Sequence, residues 1–167
     1  MDNKIAKQPR KRRQLFDVSN INMSLWVLLD QARDLVAKAR ELELRHFKLT
    51  RAQASTLYIL LFENKGLTIG DISNWNMREP NSVLSLVNRM EKIDLVKKTR
   101  SPEKDKIIIN ITDKGRKLYT GLTRQSIEMI FSALSNGERQ QLKRCLIKVR
   151  AKSRELLGMD FKPPFLP

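Results

Sequence analysis

The sequence predicts a mostly helical protein carrying one small β-hairpin. Three observations lead there. Residues 67–112 fit two short helices with a turn between them, then a hairpin. Long stretches on either side repeat apolar residues at helical spacing. Four isoleucines crowd residues 107–111, a β-branched run that favours a strand. The expectation is a compact helix–helix–hairpin unit carried on helical arms.

At 167 residues, 41% hydrophobic and 31% charged, the chain has the length of one domain and the composition of a globular protein. Lys and Arg number 33 against 18 Asp and Glu, a net charge of +15 and a pI near 10.3. Such an excess points to a polyanionic partner: nucleic acid, an anionic membrane surface or an acidic protein. The single cysteine, Cys145, excludes an intrachain disulfide. The longest apolar run, near residues 58–62, is far too short to span a membrane. No apolar segment follows the basic N-terminus as a secretory signal would require, so a cytoplasmic protein without membrane contact is expected.

Taken in order, residues 1–14 hold six cations against Asp2 and read as a mobile basic arm. It could contact phosphates or a minor groove, or be a solvated tail. Between residues 22 and 46, Leu25, Leu28, Leu29, Ala32, Leu35, Val36, Ala39 and Leu42 form a helical stripe that needs a partner. Thr50 with Gln53 is a capping box opening a largely buried helix with Ala54, Leu57, Tyr58, Leu60 and Leu61 inward. Residues 64–66 stop it, with Gly66 as its left-handed cap. Thr68 and Asp71 cap the next, short helix, whose core side is Ile69, Ile72 and Trp75. After a turn at residues 77–79, Pro80 suits the first position of a helix to Ile93.

In that helix Val83, Leu86, Val87 and Met90 share one face, while Asn81, Ser85, Asn88 and Lys92 share the other with Ser82 and Arg89 on its flank. Short polar residues and arginine are types that reach base edges and phosphates. Leu84 is expected at the edge of the core. Asp94, a residue that tolerates the left-handed conformation, ends the helix. Strands are expected at 95–100 and 107–111 around a loop at 101–106. Lys97, Lys98, Arg100, Lys104 and Lys106 make this hairpin basic, which suits contact with DNA and equally the protection of an edge strand.

Thr112 is expected to cap one long helix to about Leu134, with Gly115 weakening its first turn. Its stripe is Leu118, Leu122, Ile127, Ile130, Phe131 and Leu134. Ser135 and Glu138 form a capping box for the last helix, with Leu142, Cys145, Leu146, Val149 and Leu156 inward and an end near Gly158. Cys145 is expected to be a buried structural residue, with a redox role as the alternative. Met77, Met90 and Met129 are expected to be packing residues. The apolar, proline-rich tail 159–167 could clasp a neighbouring subunit.

This order of elements resembles the MarR-type winged helix-turn-helix transcriptional regulators over about residues 25–157. Leu49-Thr50-Arg51-Ala52-Gln53 is similar to the family's L-T-x-x-Q segment, and Leu67-Thr68 with Ile72 to the start of its first reader helix. Ser82-Val83 with residues 86–92, then Leu95-Val96, looks like the recognition helix and its exit. Residues 109–115 look like the V-x-L-T-x-x-G that closes the wing. Two departures stand out. Glu103 and Asp105 occupy the family's Asp-x-Arg positions, which removes the minor-groove arginine; Lys104 or Lys106 offers only an ammonium in its place. Ser85 stands where the family often has Arg. A smaller change is Asp94 in place of the usual Gly between helix and strand.

The resemblance implies a winged helix-turn-helix flanked by long helices that form an α-helical dimerisation domain. Its segments are a basic arm (1–19), a dimerisation helix (20–48), the DNA-binding unit (49–112), C-terminal dimerisation helices (113–158) and a tail (159–167). It implies a homodimeric repressor on a pseudo-palindromic double-stranded DNA operator, with half-sites on the order of 34 Å apart. A small effector is implied, and no cofactor. The contacting residues would be Arg78, Asn81, Ser82, Ser85, Asn88 and Arg89 in the recognition helix, Thr68 before it, and Lys97, Lys98, Arg100, Lys104 and Lys106 in the wing.

An enzyme is not expected. His46 is the single histidine, and no glycine-rich phosphate loop, nucleophile elbow or metal-spaced cluster occurs. Glu103 and Asp105 are close in sequence but fit a solvated hairpin tip. The rival is a winged helix used for protein interaction or DNA architecture, binding DNA without sequence preference.

Overall fold

The computed structural model describes residues 20–101 and 106–160. They form seven α-helices and one hairpin: α1 (Ile21–Arg45), α2 (Arg51–Glu63), α3 (Ile69–Asn76), α4 (Pro80–Lys92), β1 (Val96–Ser101), β2 (Lys106–Ile111), α5 (Asp113–Thr120), α6 (Gln125–Phe131) and α7 (Asn136–Leu156). The basic arm, the wing tip with Glu103, Lys104 and Asp105, and residues 161–167 of the tail lie outside the described residues.

Two compact units divide at Leu35 and Val36. The first contains the start of α1, where Leu25, Trp26, Leu28, Leu29 and Leu35 are all exposed. The second contains the core. There Leu44, Leu57, Leu60, Ile72, Val83, Val87 and Met90 pack with Leu95, Val96 and Ile109. Burying one such side chain contributes about 1.5–3 kcal/mol, so this cluster holds the short helices that could not stand alone.

Local sequence sets most boundaries. Thr50, Thr68 and Ser135 each form a complete capping box, with Gln53, Asp71 and Glu138 respectively. β1 and β2 pair antiparallel from Val96↔Ile111 to Ser101↔Lys106. Leu67 adds an isolated bridge to Ile109. Alternation then sends Val96, Lys98 and Arg100 to one face of the hairpin and Lys97, Thr99 and Ser101 to the other. Asp94 is left-handed at φ 60°, as expected.

Four expectations change. The helix beginning at Asp113 stops at Thr120, and a separate helix begins at Gln125. Residues from α1 hold the break, as described below. The left-handed cap of α2 is Asn64, at φ 47°. Gly66 is also left-handed, but a Cβ there would lie 2.5 Å from both Asn110 Oδ1 and Ile108 Cγ2. Its glycine therefore serves the close passage of the chain beside β2. In the single chain Leu142, Leu146, Val149 and Leu156 are exposed, and so is Cys145. Among the described residues nothing covers the expected inward stripe of α7. Leu84, Met77 and Met129 are exposed too; Met90 alone of the three methionines is buried.

Gly115 has a role that helix propensity hides. A Cβ there would sit 2.2 Å from the carbonyl oxygen of Leu95, a backbone atom that cannot swing away. Gly115→Ala should therefore destabilise the protein by about 1–3 kcal/mol, although alanine is the better helix former. Urea unfolding of the two proteins checks this, and equal midpoints would contradict it.

Candidate nucleic-acid interface

α4 is fixed at both ends. Before it, α3 closes with Met77 left-handed at φ 50°, and the Arg78 N–H donates to the Ser73 carbonyl at 3.0 Å. The Ser73 hydroxyl donates to the Arg78 carbonyl, so both backbone groups of Arg78 are held. Asn76 ties this turn to α2: Ser55 donates to Asn76 Oδ1 at 2.5 Å, and Asn76 Nδ2 donates to Thr56 Oγ1 at 3.2 Å. Pro80 then starts α4, where its missing N–H is not needed. After α4, the Asp94 N–H reaches the Glu91 carbonyl (2.9 Å) and the Leu95 N–H the Met90 carbonyl (2.9 Å). This pair of bonds is a Schellman closure with Asp in the position glycine usually takes.

The exposed side of α4 forms a shallow recess of about 440 Å³, lined by Arg78, Asn81, Ser82, Ser85, Leu86 and Arg89, with Ala52 of α2 as its wall. Five of the six residues predicted around the recognition helix thus share one concavity. It lies on the Ser82–Ser85–Arg89 side of the helix, the side nearer α2. The floor is polar, and two guanidinium groups border it. Such a surface offers donors and acceptors to base edges and cations to phosphates.

The remaining predicted residues lie elsewhere. Thr68 spends its side chain on capping α3: its hydroxyl donates to Asp71 Oδ2 at 2.6 Å and accepts from the Asp71 N–H at 3.1 Å. Lys97, Arg100 and Lys106 are exposed on the hairpin. Lys98 is half-buried. Its Nζ donates to Asn88 Oδ1 and pairs with Glu91 Oε2, both at 2.6 Å. The hydrogen bond from Lys98, against a smaller opposing effect of burial, lowers the Glu91 pKa. Asn88 therefore belongs to a contact between α4 and the wing as well as to the outer face. Among the described residues no cluster of His, Cys, Asp and Glu is arranged to hold a metal, and no helix is long and apolar enough to cross a membrane.

No protein-family model matches the sequence, and no curated protein matches it. Solved structures do match. The organohalide-sensing transcriptional regulator RdhR, in its ligand-free form, superposes with a TM-score of 0.79 at 20% identity over 99% of both chains. A MarR family transcriptional regulator from Streptomyces coelicolor matches with a TM-score of 0.69 at 23% identity, over 80% of this chain and 96% of that one. MepR from S. aureus, in a complex with DNA, gives 0.65 at 25% identity over 77% and 94%. The chain has the MarR-type winged-helix fold.

Within this MarR-type fold, sequence reading misses one cluster. Glu43, near the end of α1, sits at the break between α5 and α6. Its carboxylate accepts from the Thr123 hydroxyl (2.5 Å), the Gln125 N–H (2.9 Å), the Ser126 N–H (3.2 Å) and the Ser126 hydroxyl. It thereby supplies from another helix the N-terminal cap that Arg124 cannot give. Arg40 completes the cluster, donating to Glu43 Oε2 at 2.7 Å and to the Thr123 carbonyl at 2.6 Å. A second recess of about 520 Å³ opens beside it, walled by Ala39, His46, Phe47, Met129 and Ile130. The Thr-x-x-Ser spacing at the break was the available signal, but its partner lies about 80 residues earlier.

Burial alone would raise the Glu43 pKa; bonds from Ser126, Thr123 and Arg40 together outweigh it and bring the group from 4.5 down to about 2. Because the folded value is the lower one, the stability it contributes is complete above about pH 4.5 and is lost as pH falls towards 2. Glu43→Ala should be destabilised by about 2 kcal/mol at pH 7. The gap from wild type should narrow steadily below pH 4.5. Urea titrations across that range test it; a gap independent of pH would contradict it.

Proposed function

We propose that the protein is a sequence-specific transcriptional regulator that binds double-stranded DNA as a homodimer and acts as a repressor. The observation that carries this reading is the recess on α4, where Arg78, Asn81, Ser82, Ser85 and Arg89 share one exposed, rigidly held face. The net charge of +15 suits a polyanion. The basic strands of the wing lie beside the same helix. MepR, whose fold this chain shares, was solved with DNA bound.

Residues 49–112 form the DNA-binding unit in this reading, and 20–48 with 113–158 the dimerisation helices. The exposed leucines of α1 and α7 supply the reason for a dimer: a soluble monomer seldom exposes such continuous apolar stripes. Two α4 helices would then enter successive major grooves of a pseudo-palindromic operator. A small effector would release the DNA. The recess walled by Phe47, Met129 and Ile130 is the candidate place for it, beside the α5–α6 break. RdhR, solved also with 2,4-dichlorophenol bound, supports a ligand-responsive regulator.

The test is binding, at one fixed salt concentration, to the DNA upstream of its own gene and to random duplex. The specific duplex should bind at least about 10³-fold more tightly. Arg89→Ala or Asn81→Ala should reduce that ratio about tenfold while changing random-DNA affinity much less. Lys104→Ala should weaken both alike and flatten the salt dependence. Equal affinity of the wild type for the two duplexes would contradict the reading and leave a winged-helix module without sequence preference.

A further inference from the structure

We propose that Lys98 sets the base preference of the recognition helix by making Asn88 read as a hydrogen-bond donor alone; this rests on α4 being the reader. Lys98 pairs across the hairpin with Ile109, which is fully buried. Its alkyl stem thus runs along the inner side of the wing, and its ammonium emerges over the third turn of α4. There it lies 2.6 Å from Asn88 Oδ1 and 2.6 Å from Glu91 Oε2. Glu91 anchors the ammonium, so Lys98 does not depend on Asn88 to stay in place.

An ammonium has no acceptor. The Asn88 atom facing it must be the carbonyl oxygen, and the amide cannot be turned round without setting N–H groups against N–H groups. That matters for readout. Asparagine recognises adenine by accepting from N6–H and donating to N7 at once. With Lys98 in place, an adenine amino group would have to share the amide oxygen with a charged donor 2.6 Å away. The oxygen keeps a second lone pair, but it is turned towards Lys98 and the wing, so Nδ2 is the group left to meet the base edge. It can donate to N7 of either purine, O6 of guanine or O4 of thymine, and so gives adenine no advantage over guanine. Among the described residues of the wing none bonds to Asn81, which lines the recess. Two asparagines on one helix would then read different chemistry.

Selection of binding sites from random duplex DNA by the full chain tests this, using wild type, Lys98→Met, Lys98→Arg and Asn88→Ala. Asn88→Ala should lose preference at one base pair in each half-site. At that pair the wild type and Lys98→Arg should show no preference for adenine over guanine. Lys98→Met keeps the stem but frees the carbonyl, and should prefer adenine about fivefold or more. The wild type gives a second readout independent of any variant's folding. Replacing adenine at that pair by purine, which lacks the amino group, should leave affinity unchanged.

Sites identical for Lys98→Met and wild type would overturn the inference. So would wild-type selection of adenine at that pair, weaker binding to the purine-substituted site, or an Asn88→Ala variant with unchanged preference. Failure of the wild type to enrich any sequence would instead refute the regulator reading, and this inference with it.

Discussion

α4, both wing strands and α5 are joined at one left-handed residue, Asp94. Its φ of 60° lets the chain reverse directly from helix into strand. Three groups from beyond the wing then lock the reversal. The Thr112 hydroxyl donates to the Asp94 carbonyl at 2.7 Å, the Thr112 N–H to the Leu95 carbonyl at 3.2 Å, and Lys114 Nζ to the Ile93 carbonyl at 2.8 Å. Gly115 leaves room for that Leu95 carbonyl against the first turn of α5. The carbonyls of Ile93, Asp94 and Leu95, just past the end of α4, are thereby satisfied by Thr112 and Lys114 at the start of α5. α4, the wing and α5 are held as one body, which is why Lys98 of the wing can reach Asn88 and Glu91 with good geometry.

The arms follow a different logic. Among the described residues nothing covers the leucines of α1 and α7, whose helical stripes remain exposed. The link from the reader unit to α7 runs through the α5–α6 break. A continuous helix from Asp113 would have placed α7 on a different path. Glu43 and Arg40, themselves joined at 2.7 Å, instead hold Thr123, Gln125 and Ser126 in a fixed turn through four hydrogen bonds of 2.5–3.2 Å and a closer one from the Ser126 hydroxyl. The recess beside this turn borders the residues that set it.

Most of the second unit was legible because its signals are local. The capping boxes at Thr50, Thr68 and Ser135, Pro80 at the start of α4, and the 3.6-residue spacing of Val83, Leu86, Val87 and Met90 each fix structure within one or two turns. The left-handed Asp94 was legible from residue type and position. What sequence could not give depends on distant partners. The α5–α6 break needs Glu43, Gly66 answers to Asn110, and Gly115 answers to Leu95. The exposure of Cys145 has a similar origin: its helical spacing indicates an apolar face, but spacing alone cannot tell whether other described residues cover that face. On α4, periodicity found the outer face, but nothing in a linear pattern reveals that Lys98 reaches Asn88 or that Ala52 of α2 walls the Ser82 side.

The account stands or falls on two α4 faces reading one DNA duplex together. Hydroxyl-radical footprinting of the full chain on its upstream DNA measures that directly. It should give two protected patches per strand, related by a two-fold axis and separated by about one helical turn, roughly 10 base pairs. A single patch, or even protection along the whole duplex, would contradict it.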